Sequence, residues 1–114
     1  MGRMAEDIAL NYLLARGLSL RDRNWRCRHL EVDLVMESER ELHIVEVRSR
    51  RYPAMMTPSA SVDRKKQGHL IRAASSYVRR KKIDKDVVFD IVSIVFYKDN
   101  YHLEYIENAF LPFF

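Results

Sequence analysis

The stretch HLEVDLVMESERELHIVEVRSR, residues 29–50, decides the fold. Two alternating runs, Leu30–Met36 and Leu42–Arg48, flank a polar break from Glu37 to Glu41 that is short enough for a β-hairpin. Successive strand side chains point to opposite faces. Glu31 and Asp33 therefore share one face, with Val32, Leu34 and Met36 on the other, and Glu46 and Arg48 share a face opposite Val45 and Val47. With Glu39 and Arg40 as a two-residue loop, Ser38 faces Glu41, Asp33 faces Glu46 and Glu31 faces Arg48. Residues so opposed bring their Cβ atoms to about 4.5–5.5 Å. Two bare carboxylates at that separation repel and call for a positive charge between them. A hard divalent cation meets the need, since Mg²⁺ takes one or two carboxylates together with phosphate and water. A slip of one residue puts Asp33 opposite Val45 and dissolves the pair, so the site depends on register. The same charges also describe the solvated face of a half-exposed hairpin, with Glu31 and Arg48 as an ordinary ion pair. The hairpin by itself leaves both readings open.

Outward from the hairpin, Ala5, Ile8, Ala9, Tyr12 and Leu13 recur at helical spacing and predict a first helix over Met4–Arg16, stopped by Gly17. Leu18–Trp25 reads as a strand. After the hairpin, Arg50–Ser61 carries Pro53 and Pro58 and reads as a loop. Asp63–Arg80 predicts a second helix, Val87–Tyr97 an apolar, β-branched strand, Lys98–Asn100 a turn, and Tyr101–Glu107 a last strand. The apolar tail Asn108–Phe114 is expected to fold back onto the domain. The order is α-β-β-β-α-β-β, an α/β chain with a mixed sheet flanked by helices.

With 114 residues the chain is expected to form one domain, residues 1–114. Its single cysteine, Cys27, excludes an intrachain disulfide and suits a reducing, cytoplasmic setting. The N-terminus has no signal-peptide hydrophobic region, and Val87–Tyr97 is too short to span a bilayer, so no membrane partner is expected. His29, His43, His69 and His102 show no metal-ligand spacing and read as surface or edge residues. The 20 Lys and Arg against 16 Asp and Glu give a net charge of +4. The cations cluster at Arg21–Arg28, Arg48–Arg51, Arg64–Lys66 and Arg79–Lys82, which fits a polyanionic partner such as nucleic acid and equally a solubilising surface.

Two features lie near the acidic hairpin in pattern. Glu6 shares a helical stripe with Ala9, Leu10 and Leu13, at the edge of the apolar face, while Asp7 and Asn11 point away; a first-turn glutamate also suits the helix dipole. On the second helix, Lys65, His69, Arg72, Ser76 and Arg79 make a polar, mostly basic stripe. Lys66 and Gln67 head the apolar rows on the opposite side, where they need polar partners or must snorkel to water.

Six segments in order resemble the YraN-like family of small bacterial proteins, predicted endonucleases distantly related to archaeal Holliday junction resolvases: AEDIALNYLLARGL, RNWRCRHLEVDLV, HIVEVRSRR, RKKQGHLIRAASSYV, VFDIVSI and IENAF. The resemblance implies a restriction-endonuclease-like domain with a Glu…Asp…Glu-x-Lys metal site. On that basis Glu6, Glu31, Asp33, Glu46, Arg48, Lys66 and Gln67 are the candidate catalytic residues. Asp33, Glu46 and the carbonyl of Val47 are the candidate ligands for Mg²⁺ or Mn²⁺. Asp90 matches the Asp of a Phe-Asp strand and is expected to be a buried structural acceptor. Arg50, Arg51, Lys65, Arg72 and Arg79 are expected to follow a nucleic-acid backbone, DNA by preference. The related resolvases act on a two-fold junction, which makes a homodimer an expectation too. Three departures stand out: Ala5 and Leu30 where the family has Gly, and Arg48 where the motif has Lys. Arginine stabilises phosphate charge but does not act as a base, because its pKa exceeds about 12. The implied function is a metal-dependent endonuclease acting on structured or branched DNA. The alternative is a catalytically weak or inactive nucleic-acid-binding module on the same fold.

Overall fold

The computed structural model describes residues 2–53 and 62–112. Its elements are α1 (Gly2–Ala15), β1 (Ser19–Cys27), β2 (Leu30–Glu37), β3 (Glu41–Arg51), α2 (Arg64–Lys81), β4 (Asp86–Phe96) and β5 (Tyr101–Phe110). The order is the one the sequence predicts. The strands form one mixed sheet in the spatial order β1-β2-β3-β4-β5. All neighbours are antiparallel except β3 and β4, which run parallel and are joined through α2.

One helix covers each face. Under α2, Leu70, Ala73, Ala74 and Tyr77 pack on Val32, Val35, Leu42, Ile44 and Phe89. Under α1, Ala5, Ala9 and Leu13 pack on Leu34, Met36, Val45, Val92 and Ile94. Helices on both faces explain why the central strands β3 and β4 read as nearly continuous apolar runs.

The ends of the elements follow local chemistry. Gly17, at φ +96°, closes α1: the Leu18 N–H donates to the Leu13 carbonyl at 3.2 Å and the Gly17 N–H to the Leu14 carbonyl at 3.0 Å. Asp63 caps α2 by accepting from the Lys66 N–H at 2.8 Å, and Lys82 ends it in the left-handed region. Tyr77 anchors the second half of α2 to β1. Its hydroxyl donates to Asp22 Oδ2 at 2.6 Å and accepts from Arg21 Nε at 3.0 Å, and its ring meets Trp25 edge to face.

The hairpin turn is the predicted two-residue loop. The Ser38 N–H donates to the Glu41 carbonyl at 2.9 Å, and the β2–β3 ladder runs from Glu37↔Leu42 to Leu34↔Val45. This is the register that opposes Asp33 and Glu46. Two expectations for the chain's ends change. The third strand continues through Arg51 into the segment read as a loop, and β5 continues to Phe110, which stacks on Phe89 at 5.0 Å. Residues 54–61 of the predicted loop, and Phe113 and Phe114 of the tail, lie outside the described residues. Among the described residues no helix is long and apolar enough to cross a membrane.

Candidate functional site

The site begins where β2 and β3 stop pairing. Beyond Leu34↔Val45 the ladder ends, and Asp33 Oδ2 accepts the Val47 N–H at 2.8 Å. The Asp33 side chain thus substitutes for the missing strand partner and is held rigidly beside Glu46. The two carboxyl groups lie close enough for each to perturb the pKa of the other. Glu46 is buried at 9% exposure. Burial, and then the charge of Asp33, push its pKa up to about 7. Burial raises Asp33 as well, against the pull of the Val47 N–H. A pair of this kind holds a proton in place of the second negative charge.

Strand alternation places Glu46 on the face covered by α2, together with Ile44. There Lys66, in the first turn of α2, brings its Nζ to 3.7 Å from Glu46 Oε2. The sequence reading that Lys66 needs a polar partner is met by this contact. Arg48, two residues along the same face, also draws the Glu46 pKa downward by its charge. The neighbour of Arg48 on β4 is Ser93, whose buried hydroxyl has no hydrogen-bond partner among the described residues.

The other candidates separate from this pair. Gln67 does not reach the carboxylates: its amide donates to the Val62 carbonyl at 2.8 Å and fixes the chain entering α2. Glu31 is not paired with Arg48. It faces Arg26 on β1, with 3.5 Å between Arg26 Nη2 and Glu31 Oε2. The cause is local. Asn24 adopts φ +53°, no pairing joins it to Asp33, and strict alternation breaks between Val32 and Leu34, which pack under different helices. Glu31 instead lines a cleft of about 580 Å³ with Glu6, Arg3, Arg23 and Arg26. Glu6 accepts from Arg23 Nε at 3.5 Å and remains close enough for its charge to raise the Asp33 pKa. It stands at the rim of the site, not in its centre.

Among the basic candidates, Lys65, Arg72 and Arg79 are exposed along α2, and Arg50 and Arg51 end β3. The polar stripe of α2 is narrower than predicted. Ser76 is buried at 8% exposure, with its Oγ 3.3 Å from Cys27 Sγ.

Asp90 is the buried structural acceptor that was expected. It takes the Asn108 N–H at 2.9 Å, the Tyr105 hydroxyl at 2.6 Å and His43 Nδ1 at 2.6 Å. His43 is therefore not a surface residue; it is 1% exposed in the middle of β3. Burial opposes its charge, but the hydrogen bond and charge of Asp90, with Glu41 and Glu107, win and raise its pKa. The clue in the sequence was His43 and Asp90 inside the apolar runs of β3 and β4, since most buried polar groups find a partner.

Among the described residues no group of three or more His, Cys, Asp and Glu side chains is arranged to hold a metal. The donor set that exists is the pair Asp33 and Glu46, both hard oxygen ligands with raised pKa values and Lys66 as counter-charge. That set fits Mg²⁺ or Mn²⁺, which completes its shell with phosphate and water.

The family model of Uncharacterised protein family UPF0102 matches residues 5–94 of this chain. A UPF0102 protein of Bacteroides thetaiotaomicron is 38% identical over 112 residues, spanning 98% of this chain and 93% of the relative. One of Phocaeicola vulgatus is 37% identical over 111 residues, with 97% and 92% covered. One of Herminiimonas arsenicoxydans is 39% identical over 109 residues, with 96% and 85% covered. The matched segment contains Glu6, Asp33, Glu46, Lys66 and Asp90.

Proposed function

The chain belongs to uncharacterised protein family UPF0102, and from that premise we propose that it is a metal-dependent endonuclease hydrolysing phosphodiester bonds in structured or branched DNA. The observation that carries the proposal is the pair Asp33–Glu46 with Lys66 Nζ at 3.7 Å. Two adjacent carboxylates, Glu46 buried and Asp33 half-buried, are costly to ionise together, and a divalent cation offsets that cost.

Asp33 and Glu46 bind Mg²⁺ or Mn²⁺, and the Val47 N–H fixes the orientation of Asp33. When bound, the cation polarises the scissile phosphate and lowers the pKa of water. Arg48 and Lys66 face the phosphate and stabilise the negative charge that develops on it. Arg48 cannot serve as a base, whereas Lys66 brings an amine to the pair from a different element than the motif lysine. Glu6 and Glu31, at the rim, and Gln67, through the start of α2, position the surroundings. Lys65, Arg72, Arg79, Arg50 and Arg51 contact the backbone without reading bases, which favours recognition of structure over sequence.

The test is cleavage of branched, single-stranded and duplex DNA with Mg²⁺ or Mn²⁺. Asp33→Ala and Glu46→Ala are expected to lose metal-dependent cleavage entirely; if both cut as well as the parent chain, the assignment is wrong. Arg48 favours a second reading, a module on this fold that binds nucleic acid without cleaving it. Binding of DNA by a parent chain that neither cuts it nor takes up Mn²⁺ would establish that reading instead.

A further inference from the structure

The hydrolytic pair does not use a second basic feature, a groove between the β1–β2 turn and the outer side of α2. Its volume is about 450 Å³, and Arg28, His29, Arg72, Ser75, Arg79 and Arg80 line it with no carboxylate among the lining residues. His29 reaches across to His69 on α2, with ring centroids 5.9 Å apart, so the turn and the helix make two walls of one channel. The pKa of His69 is lowered, first by desolvation and then by the charges of Arg72, His29, Lys65 and Lys66.

The groove and the carboxylate pair share α2. Lys66 is in its first turn, and Arg72 and Arg79 follow along the same rod. At about 1.5 Å per residue, the two arginines lie about 9 and 20 Å along the axis from Lys66. They face the β1–β2 turn, about a third of a turn round the helix from Lys66.

We propose that this groove holds the backbone of a duplex arm of DNA that extends beyond the phosphate at Asp33 and Glu46. The inference rests on the hydrolytic reading for the position of that phosphate and on the groove alone for its binding. Four arginines with no acid between them suit a continuous polyanion. Ser75 supplies a neutral donor of the kind that also contacts phosphate oxygens. The β1–β2 turn then sets which side of α2 the duplex follows.

The experiment is fluorescence anisotropy with end-labelled DNA hairpins of 4 and 10 base pairs, in EDTA so that nothing is cut. The parent chain is expected to bind the longer stem more tightly. Arg72→Gln/Arg79→Gln is expected to weaken binding to the longer stem by roughly tenfold or more, to lose the preference for it, and to reduce the slope of log affinity against log salt by about two. Circular dichroism confirms that the variant folds. Equal affinity and salt slope in parent and variant would overturn the proposal. So would a variant that loses affinity only for phosphatidylglycerol vesicles, which would mark the groove as a membrane-surface site. Loss of the hydrolytic reading appears separately, as binding with this length dependence in a chain that never cleaves.

Discussion

Two buried acidic centres occupy opposite faces of one sheet, and they differ in how completely their charges are met. Asp90 sits opposite Val45, one residue from Glu46 in the parallel β3–β4 register. It receives three donors, from His43, Tyr105 and Asn108. Asp33 receives one backbone N–H and shares the rest of its surroundings with another carboxylate. Its partner Glu46 has Lys66 at 3.7 Å, beyond the range of a good hydrogen bond. The first centre is closed and contributes to holding the fold together. The second is met by fewer donors among the described residues. Burial alone did not distinguish them; the number of donors did.

The contrast breaks most visibly in stability. Asp90→Ala leaves His43, the Tyr105 hydroxyl and the Asn108 N–H without their acceptor, and is expected to cost about 3–5 kcal/mol in urea unfolding. A loss below about 1 kcal/mol would place Asp90 outside the framework.

The carboxylate pair is expected to behave in the opposite way. Glu46 has a folded pKa of about 7 against an ordinary 4.5, so the native state holds an extra proton between those values. Its contribution to stability is complete below about pH 4.5 and is lost as pH rises through 7. Glu46→Gln keeps the neutral, hydrogen-bonding form at every pH. It should match the parent near pH 5 and exceed it by about 2 kcal/mol at pH 8. Mg²⁺ should narrow that gap by raising the melting temperature of the parent at pH 8 and not that of the variant. A parent chain whose stability relative to Glu46→Gln is the same at both pH values would show that the pair is not protonically linked.

The smallest effect sharpens the closed centre. Tyr105→Phe removes one of the three donors to Asp90 and is expected to cost about 1.5 kcal/mol, leaving the pH dependence due to Glu46 intact.

The hairpin was legible because the break from Glu37 to Glu41 allowed a two-residue turn. The register was left open by the sequence and comes from the ladder Glu37↔Leu42 to Leu34↔Val45. Lys66 was legible as a polar residue heading an apolar row. Glu31 was misplaced because counting assumes unbroken alternation, and the left-handed backbone at Asn24 interrupts it. Gln67 was misplaced because its partner, the Val62 carbonyl, is a backbone group that no side-chain pattern marks. His43 was misread because its partner lies on β4, brought alongside by the parallel crossover, which the order of elements does not reveal by itself. Cys27 and Ser76 were hidden likewise, since their contact depends on how α2 crosses the sheet.

The anchoring of α2 has a mechanical consequence. Tyr77 pins the helix to Asp22, and Lys66 lies eleven residues toward its N-terminal end, a distance of about 16 Å. Shortening the 3.7 Å gap between Lys66 and Glu46 to a charge-assisted contact of about 2.8 Å takes a pivot of only about 3° about that pin.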